Sequence, residues 1–460
     1  MSLLSTLNIG RSGLQASSVG IEVTSHNVSN ASTEGFHRRS VERELPASRL
    51  IAGGASVGQG VGISRIRRAS DELLGMRWME AQGDASFSGA ESAGLSTVET
   101  YFNETNQIGV NQVVEEFFNA LGSATSDPSD IGHRQTLNRA GFNLADTVSR
   151  TATNIDTAIT DFELGIEATT TSVNRLTTEL ASVNRAINES GDALGAGDMV
   201  DRRDQLAQEI ASLTGGNISF TDSGMANLYV GGHALVAGLE QRDMTVGVDA
   251  NNDQTILIEA GSGHLNVTSI VGGDIGGTNS AKEKAVEYLA DLNTFAGDFA
   301  VAMNAQHNTG FDLNGTAGGD LFGTTAGSEA SSMEFSQAIY DDAKLWAFGA
   351  AATSGVGDDT NLEAMINVES AQLFSGGSET SGQFLATLLG SVASDTAQSA
   401  TNASQASAHN ADLAGLMKSL TSVDLDQEAT SLIEFQAAYQ ASAKVIRAAD
   451  ELLQSLLAVM

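Results

Sequence analysis

Seven histidines (His26, His37, His133, His233, His264, His307 and His409) are the side chains best suited to proton transfer or metal binding near neutral pH. No two of them stand at the spacing of helical metal ligands. The chain also has no cysteine, so a zinc site lacks its ligand pattern and disulfides are excluded. Residues 272–277 read GGDIGG, but no Gly-Lys-Ser/Thr follows to complete a phosphate loop; a turn closing a β-rich stretch accounts for them better. Asp312-Leu-Asn-Gly315 has the opening of a calcium loop without an acidic ligand at the twelfth position. Scattered Ser, His and Asp residues compose no nucleophilic triad. The expectation is a protein that is not an enzyme and holds no metal or cofactor.

The charge narrows the partners. The 460 residues carry a formal net charge of −34, which repels phosphate backbones and anionic lipid surfaces, so neither nucleic acid nor a membrane is expected. No stretch reaches the roughly 18 uninterrupted apolar residues of a membrane span. The opening MSLLSTLNIGRSGLQ lacks the basic region and apolar run of a cleaved signal peptide. Residues 1–80 hold nine arginines (Arg11, Arg38, Arg39, Arg43, Arg49, Arg65, Arg67, Arg68, Arg77) against seven acids, and the rest of the chain holds 14 basic and 50 acidic residues. Two readings stand: the near-neutral N-terminal segment docks on acidic neighbours such as copies of the chain, or it is ordinary solvated surface.

Long helices must position whatever the chain does. Steps of four and three from Val148 pass through Ala152, Ile155, Ile159, Phe162, Ile166, Thr169, Val173, Leu176, Leu180 and Val183 to Ile187, and only Thr169 is polar. This heptad stripe predicts one helix within 134–190, its patterned part about 40 residues and roughly 60 Å long. The chain ends repeat the interval. Leu7, Leu14, Ile21 and Val28 recur at every seventh position, with Ile9, Ala16 and Val23 on a second line. At the other end Leu425, Leu432, Tyr439, Ile446, Leu453 and Met460 recur likewise, widened by Phe435, Ala449 and Leu456. A helix with two apolar lines needs two sets of partners. One is the opposite chain end and the other a neighbouring molecule, unless a four-helix bundle within one chain buries both.

Between 215 and 278 the pattern turns to short β-type runs at Asn217–Phe220, Asn227–Val230, Met244–Val248 and Thr255–Glu259, which read as hairpins. Helix returns at about 281–306, residues 308–360 read as loop, and the last hundred residues are helical. The expected fold class is α+β: an elongated all-α, coiled-coil-like bundle built from both chain termini, with a β-rich domain inserted in the middle. Its boundaries are expected at 1–214 for the N-terminal part of the helical core, 215–360 for the β-rich outer domain, and 361–460 for the helices completing the core.

Residues 25–36 read SHNVSNASTEGF. Asn, Ser and Thr compete with helical backbone bonds and Gly permits positive φ, so the first helix should end here and the chain turn. Phe36 would then pin the outgoing segment. Ser25, Asn27, Val28, Ser29, Asn30, Thr33, Gly35 and Phe36 resemble the N-terminal signature shared by flagellar rod, hook and hook-associated proteins, with His26 standing where that family usually has Asn. Three further stretches resemble the hook-associated branch: DMVDRRDQLAQEIASLTGG at 198–216, NAQHNTGFDLNGTAGGDLF at 304–322, and SVDLDQEATSLIEFQAAYQASAKVIRAADELLQSLL at 422–457. The resemblance covers both ends and the middle in order and thins from about 323 to 380.

It implies a structural subunit of the bacterial flagellum, forming a junction ring between hook and filament and templating filament assembly. It further implies an extracellular location, reached through the flagellar type III export apparatus without a cleaved signal peptide. The implied partners are copies of the chain in a ring-like helical assembly, the hook protein, the third hook-associated protein and a flagellar export chaperone. Carried onto this sequence, the assembly motif is Ser25, Asn27, Asn30, Thr33, Gly35 and Phe36, and the N-terminal packing line is Leu7, Leu14, Ile21 and Val28. Leu425, Leu432, Tyr439, Ile446, Leu453 and Leu456 are the candidates for C-terminal packing and the chaperone contact. The competing readings are a hook or distal-rod subunit, and a secreted coiled-coil adhesin, which would share the heptads but not the motif order.

Overall fold

The computed structural model describes residues 3–50, 56–102, 109–190, 197–251, 253–261 and 263–459. Helix dominates, at 64% of the chain. The α-helices are α1 (Leu3–Ser29), α2 (Glu72–Phe102), α3 (Val110–Ala124), α4 (Ile131–Ser190), α5 (Gly197–Thr214), α6 (Gly273–His307), α7 (Gln337–Asp341), α8 (Thr360–Asn367), α9 (Ser381–Thr421) and α10 (Leu425–Val459). The strands are β1 (Arg39–Glu44), β2 (Arg49–Leu50), β3 (Ser56–Val57), β4 (Gly62–Arg68), β5 (Asn217–Phe220), β6 (Ala226–Val230), β7 (His233–Ala237), β8 (Glu240–Gln241), β9 (Met244–Val248), β10 (Gln254–Ala260), β11 (Gly263–Asn266), β12 (Phe322–Gly323) and β13 (Glu334–Phe335). All sheets are small: β1 with β4, β2 with β3, β12 with β13, a four-stranded β5-β6-β7-β8 meander and a three-stranded β11-β10-β9 sheet.

Two compact units share the chain. The first holds residues 1–86, 170–273 and 406–460, and the second 87–169 and 274–405. This division departs from the expected boundaries at 215 and 360. Helix α6 and the 308–360 segment, expected beside the β strands, belong to the second unit. The cause is apolar burial: Tyr288, Leu292, Phe295 and Phe299 of α6 share one core with Phe117 and Leu121 of α3 and with Leu137, Leu144 and Val148 of α4. The 308–360 segment is irregular in backbone but not in role. Phe322, Phe335, Trp346 and Phe348 are buried, and the rings Phe299, Phe322, Phe335, Trp346 and Phe348 follow one another at 5.6 to 6.0 Å between centroids.

The heptad helix is present as α4, longer than its patterned part at 60 residues, with Val148, Ala152, Ile155, Ile166, Val173, Leu176, Leu180 and Ile187 buried. Helix α6 begins eight residues before the expected start. The sequence reading had no counterpart for β1 and β4, RSVERE and GISRIRR, because their charges mask the alternation.

Asparagine is a poor helix former, yet four helical asparagines have a shared task. Asn27 clasps Arg39, Asn174 clasps Met244, Asn184 clasps Ala226 and Asn304 clasps Phe322. In each case the side-chain oxygen accepts from the backbone N–H and the amide donates to the C=O of that same residue, at 2.7 to 3.0 Å. The amide acts as a one-residue strand and satisfies backbone groups that would otherwise be left without partners beside a helix.

Of the glycines at 272–277 only Gly272 stands before α6, so the run is the opening of a helix rather than a turn. The β-rich stretch ends there with backbone laid on backbone. Gly272 N–H donates to Thr214 O at 2.8 Å. Gly273 has φ +60°, and a Cβ there would stand 2.5 Å from the carbonyl carbon of Leu213. Gly273→Ala therefore meets both a disfavoured φ and a clash that only main-chain movement relieves. It is expected to destabilise the first unit by about 2–4 kcal/mol, read as a lower urea midpoint.

Candidate functional site

The signature segment lies in the first unit, where four pieces of chain converge. Helix α1 ends at Ser29, and Asn30 closes it by donating its side-chain amide to His26 O at 3.0 Å, while Thr33 Oγ1 donates to Asn30 Oδ1 at 3.2 Å. Gly35 has φ +73°, and Gln205 of α5 fills the space a Cβ would need, donating to Glu34 O at 2.6 Å. Phe36 packs 5.3 Å from the His26 ring, with the Arg39 guanidinium 5.4 Å from its own centroid. Ser25 is exposed.

The returning strand β1 is held by Asn27, which is 1% exposed. Its amide also donates to Glu428 Oε2 at 3.0 Å, and Arg38 Nε donates to Glu428 Oε1 at 2.6 Å. Arg38 N–H donates to Thr421 O at 2.9 Å. Glu428, in the first turn of α10, is 2% exposed and has both oxygens occupied. One buried carboxylate thus ties the end of α1 to the start of α10, across 401 residues of chain.

Asp201 of α5 completes the joint. Its Oδ1 accepts from His37 Nδ1 at 3.0 Å and Arg68 Nε at 2.7 Å, and its Oδ2 accepts from Arg39 Nη2 at 3.2 Å. Arg39 also reaches Asp198 at 2.5 Å, and Arg68 reaches Asp204 at 2.7 Å. Burial alone would raise the Asp201 carboxyl, but the hydrogen bond from His37 and the charge and hydrogen bond of Arg68 outweigh it and hold it below its ordinary 3.8. A depressed carboxyl contributes stability that is present above the unfolded value and lost as pH falls through the folded one. The joint should therefore keep full strength down to about pH 4 and weaken below it. Asp201→Asn should remove that acid-dependent loss, as read by amide exchange across 198–214.

Above the joint α1 packs along α10. The buried residues of α1 are mostly small: Gly10, Ala16, Ser17, Gly20, Thr24 and Asn27. A Cβ on Gly10 would stand 2.8 Å from Ile446, one on Gly13 2.6 Å from Ser442, and one on Gly20 2.4 Å from the Phe435 ring. The large residues of α10 fill the seam, so α1 must be narrow there. The packing line expected from sequence is Leu7, Leu14, Ile21 and Val28. The first three are half-buried and Val28 is 42% exposed. On α10, Leu432, Ile446 and Leu453 are half-buried, Leu425 and Tyr439 are exposed, and the Leu456 side chain lies outside the described residues. The joint residues His37, Arg68, Asp201 and Glu428 were not singled out from sequence, although the stretches at 198–216 and 422–457 contain two of them. Among the described residues, no group of three or more His, Cys, Asp or Glu could hold a metal ion, and no helix is long and apolar enough to cross a membrane.

Comparison with known proteins gives this arrangement its class. The family model of the flagella basal body rod protein matches residues 7–37, and that of the C-terminal part of the basal body rod FlgEFG proteins matches 421–459. These are the two chain ends that the joint binds together, and they mark an axial protein of the bacterial flagellum. The model of the helical domain of flagellar hook-associated protein FlgK matches 95–322 between them. Flagellar hook-associated protein 1 of Bacillus subtilis is 26% identical over 496 residues, spanning 98% of this chain and 97% of its own. Its namesake in Escherichia coli is 23% identical over 98% of this chain and 99% of its own. The solved flagellar hook junction protein FlgK from Burkholderia pseudomallei has the same fold, with a TM-score of 0.65 over 75% of this chain and 100% of that one, at 13% identity. Over nearly its whole length the chain is thus similar to flagellar hook-associated protein 1.

Proposed function

We propose that this chain is the structural subunit of the ring joining the flagellar hook to the filament, and the template on which the filament starts. The observation that carries the reading is the set of exposed apolar side chains on the terminal helix pair. Leu4 and Val28 of α1, and Leu425, Ile433, Tyr439, Val445 and Leu452 of α10, are each at least 40% exposed in the single chain. Apolar side chains in that number on one helix pair fit a subunit built to be covered by copies of itself, with hook protein on one side and the third hook-associated protein on the other. The motif residues Asn27, Asn30, Thr33, Gly35 and Phe36 set the angle at which that pair is presented, while exposed Ser25 is free to meet a neighbour.

Before assembly the same surface would need a cover. A flagellar export chaperone seated on α10, with Leu425, Leu432, Tyr439 and Leu453 as its contacts, is the occupant this proposal assigns, ahead of passage through the type III export apparatus without a cleaved signal. Ile446, also a candidate from sequence, is taken up by the seam with α1. A hook or rod subunit is the nearest rival; the match at 95–322 to the FlgK helical domain favours the junction.

The test is reconstitution. Purified protein is added to hooks isolated from cells lacking it, then gold-labelled and imaged. Label confined to the distal tip supports the assignment, and label along the hook or on the rod sinks it.

A further inference from the structure

Away from the joint, the second unit contains a histidine used in a way that only its neutral form allows. His307, at the end of α6, is fully buried. Its Nδ1–H donates to Gly319 O at 2.6 Å, and its bare Nε2 accepts the Ala347 N–H at 2.9 Å. The ring stands edge-on to Trp346 at 5.5 Å. One side chain thus fastens two separate parts of the 308–349 segment.

The neighbouring cation matters as much. Arg134 of α4 is 1% exposed and donates to Pro128 O at 2.8 Å and Trp346 O at 2.7 Å, with its guanidinium 4.0 Å from the Phe348 ring centroid. Carbonyls and a ring, rather than a carboxylate, hold it among the described residues. The nearby Asp312 carboxylate is taken up by its own turn, accepting from Asn314 N–H and Thr316 N–H at 2.8 Å each. This also explains why Asp312-Leu-Asn-Gly315 is a turn. A proton on Nε2 would set N–H against N–H at Ala347 and place a second cation beside a buried first one.

We propose that His307 is an acid latch: a proton taken from solvent at Nε2 breaks its bond to Ala347 and releases the 308–349 segment from the helices of the second unit. The charged groups acting on the ring are Arg134 from α4, which opposes the proton, and Asp320 and Asp312 from the 308–320 turn, which favour it. Burial outweighs them all and pushes the imidazole down to about 4 from 6.5. The sign follows: above 6.5 both forms are neutral, and between 6.5 and 4 only the opened form binds the proton. Opening should then become favoured about tenfold per pH unit, reaching about a hundredfold at pH 4.

Amide exchange of the full chain between pH 7.5 and 4, corrected for intrinsic exchange, tests this. The 308–349 peptides should open about a hundredfold more at pH 4, while the 198–214 peptides of the first unit stay unchanged over that range. In His307→Gln, which cannot titrate, the pH slope should vanish. A slope as steep as that of the unsubstituted chain would overturn the latch. If that variant does not fold, the imidazole shifts of His307 in the unsubstituted chain decide: a midpoint near 4 supports it, and one at 6.5 or above overturns it.

Discussion

Asp201→Asn is expected to weaken the joint by about 3–5 kcal/mol, the cost of leaving buried charges without their partner. The substitution keeps the size of the side chain, removes its charge and turns one of two accepting oxygens into an amide donor facing other donors. Arg68, Arg39 and His37 all converge on that carboxylate, and the Asp201 side chain is 10% exposed and that of Arg68 12%. Asp198 and Asp204 offset part of the loss, but Asp198 is 76% exposed and so a weak substitute. Adding Arg68→Met to Asp201→Asn should recover a sizeable fraction, because one of the stranded cations is then gone. Urea unfolding and amide exchange of the 198–214 helix read the effect. A change below about 1 kcal/mol would mean the cluster behaves as solvated surface.

Gly20→Val is the second large expectation, and its effect falls on assembly. The seam between α1 and α10 leaves no room for a branched side chain beside Phe435, so the two helices must part or shift. The pair should lose about 1–3 kcal/mol as an overpacked contact. Because the same pair carries the exposed apolar side chains proposed to meet neighbouring subunits, cells carrying the variant should grow few filaments although the protein is made. Val28→Ser is the informative contrast: at 42% exposure it should change monomer stability by less than about 0.5 kcal/mol while still reducing filament number. Normal filaments on Gly20→Val cells would remove the seam from the account of assembly.

The long helix was legible because α4 carries its large apolar residues on itself, from Val148 to Ile187. The seam of α1 was not, because its signal is the absence of bulk. Gly10, Gly13 and Gly20 look like poor helix positions until Ile446, Ser442 and Phe435 are set against them. The signature at 25–36 could be read as a helix end, and Asn27 could be named. Its task could not, since its partners Arg39 and Glu428 are strand backbone and a carboxylate 401 residues away. Separation also hid Asp201, whose partners Arg68, Arg39 and His37 lie 133, 162 and 164 residues away and which in sequence is one acid among 57. The 308–360 segment read as loop because Gly and Asp dominate it, and its buried rings follow neither helical nor strand spacing. Contacts between distant residues define this joint, and a residue pattern reports chiefly on near ones.

The central claim, that the chain joins hook to filament, is tested most directly by deleting its gene and imaging the cells by electron microscopy while assaying the medium for flagellin. Hooks of normal length without filaments, with monomeric flagellin in the medium, are the result predicted here. Loss of the hooks as well would move the protein down to the hook or rod, and normal filaments would contradict a junction role altogether.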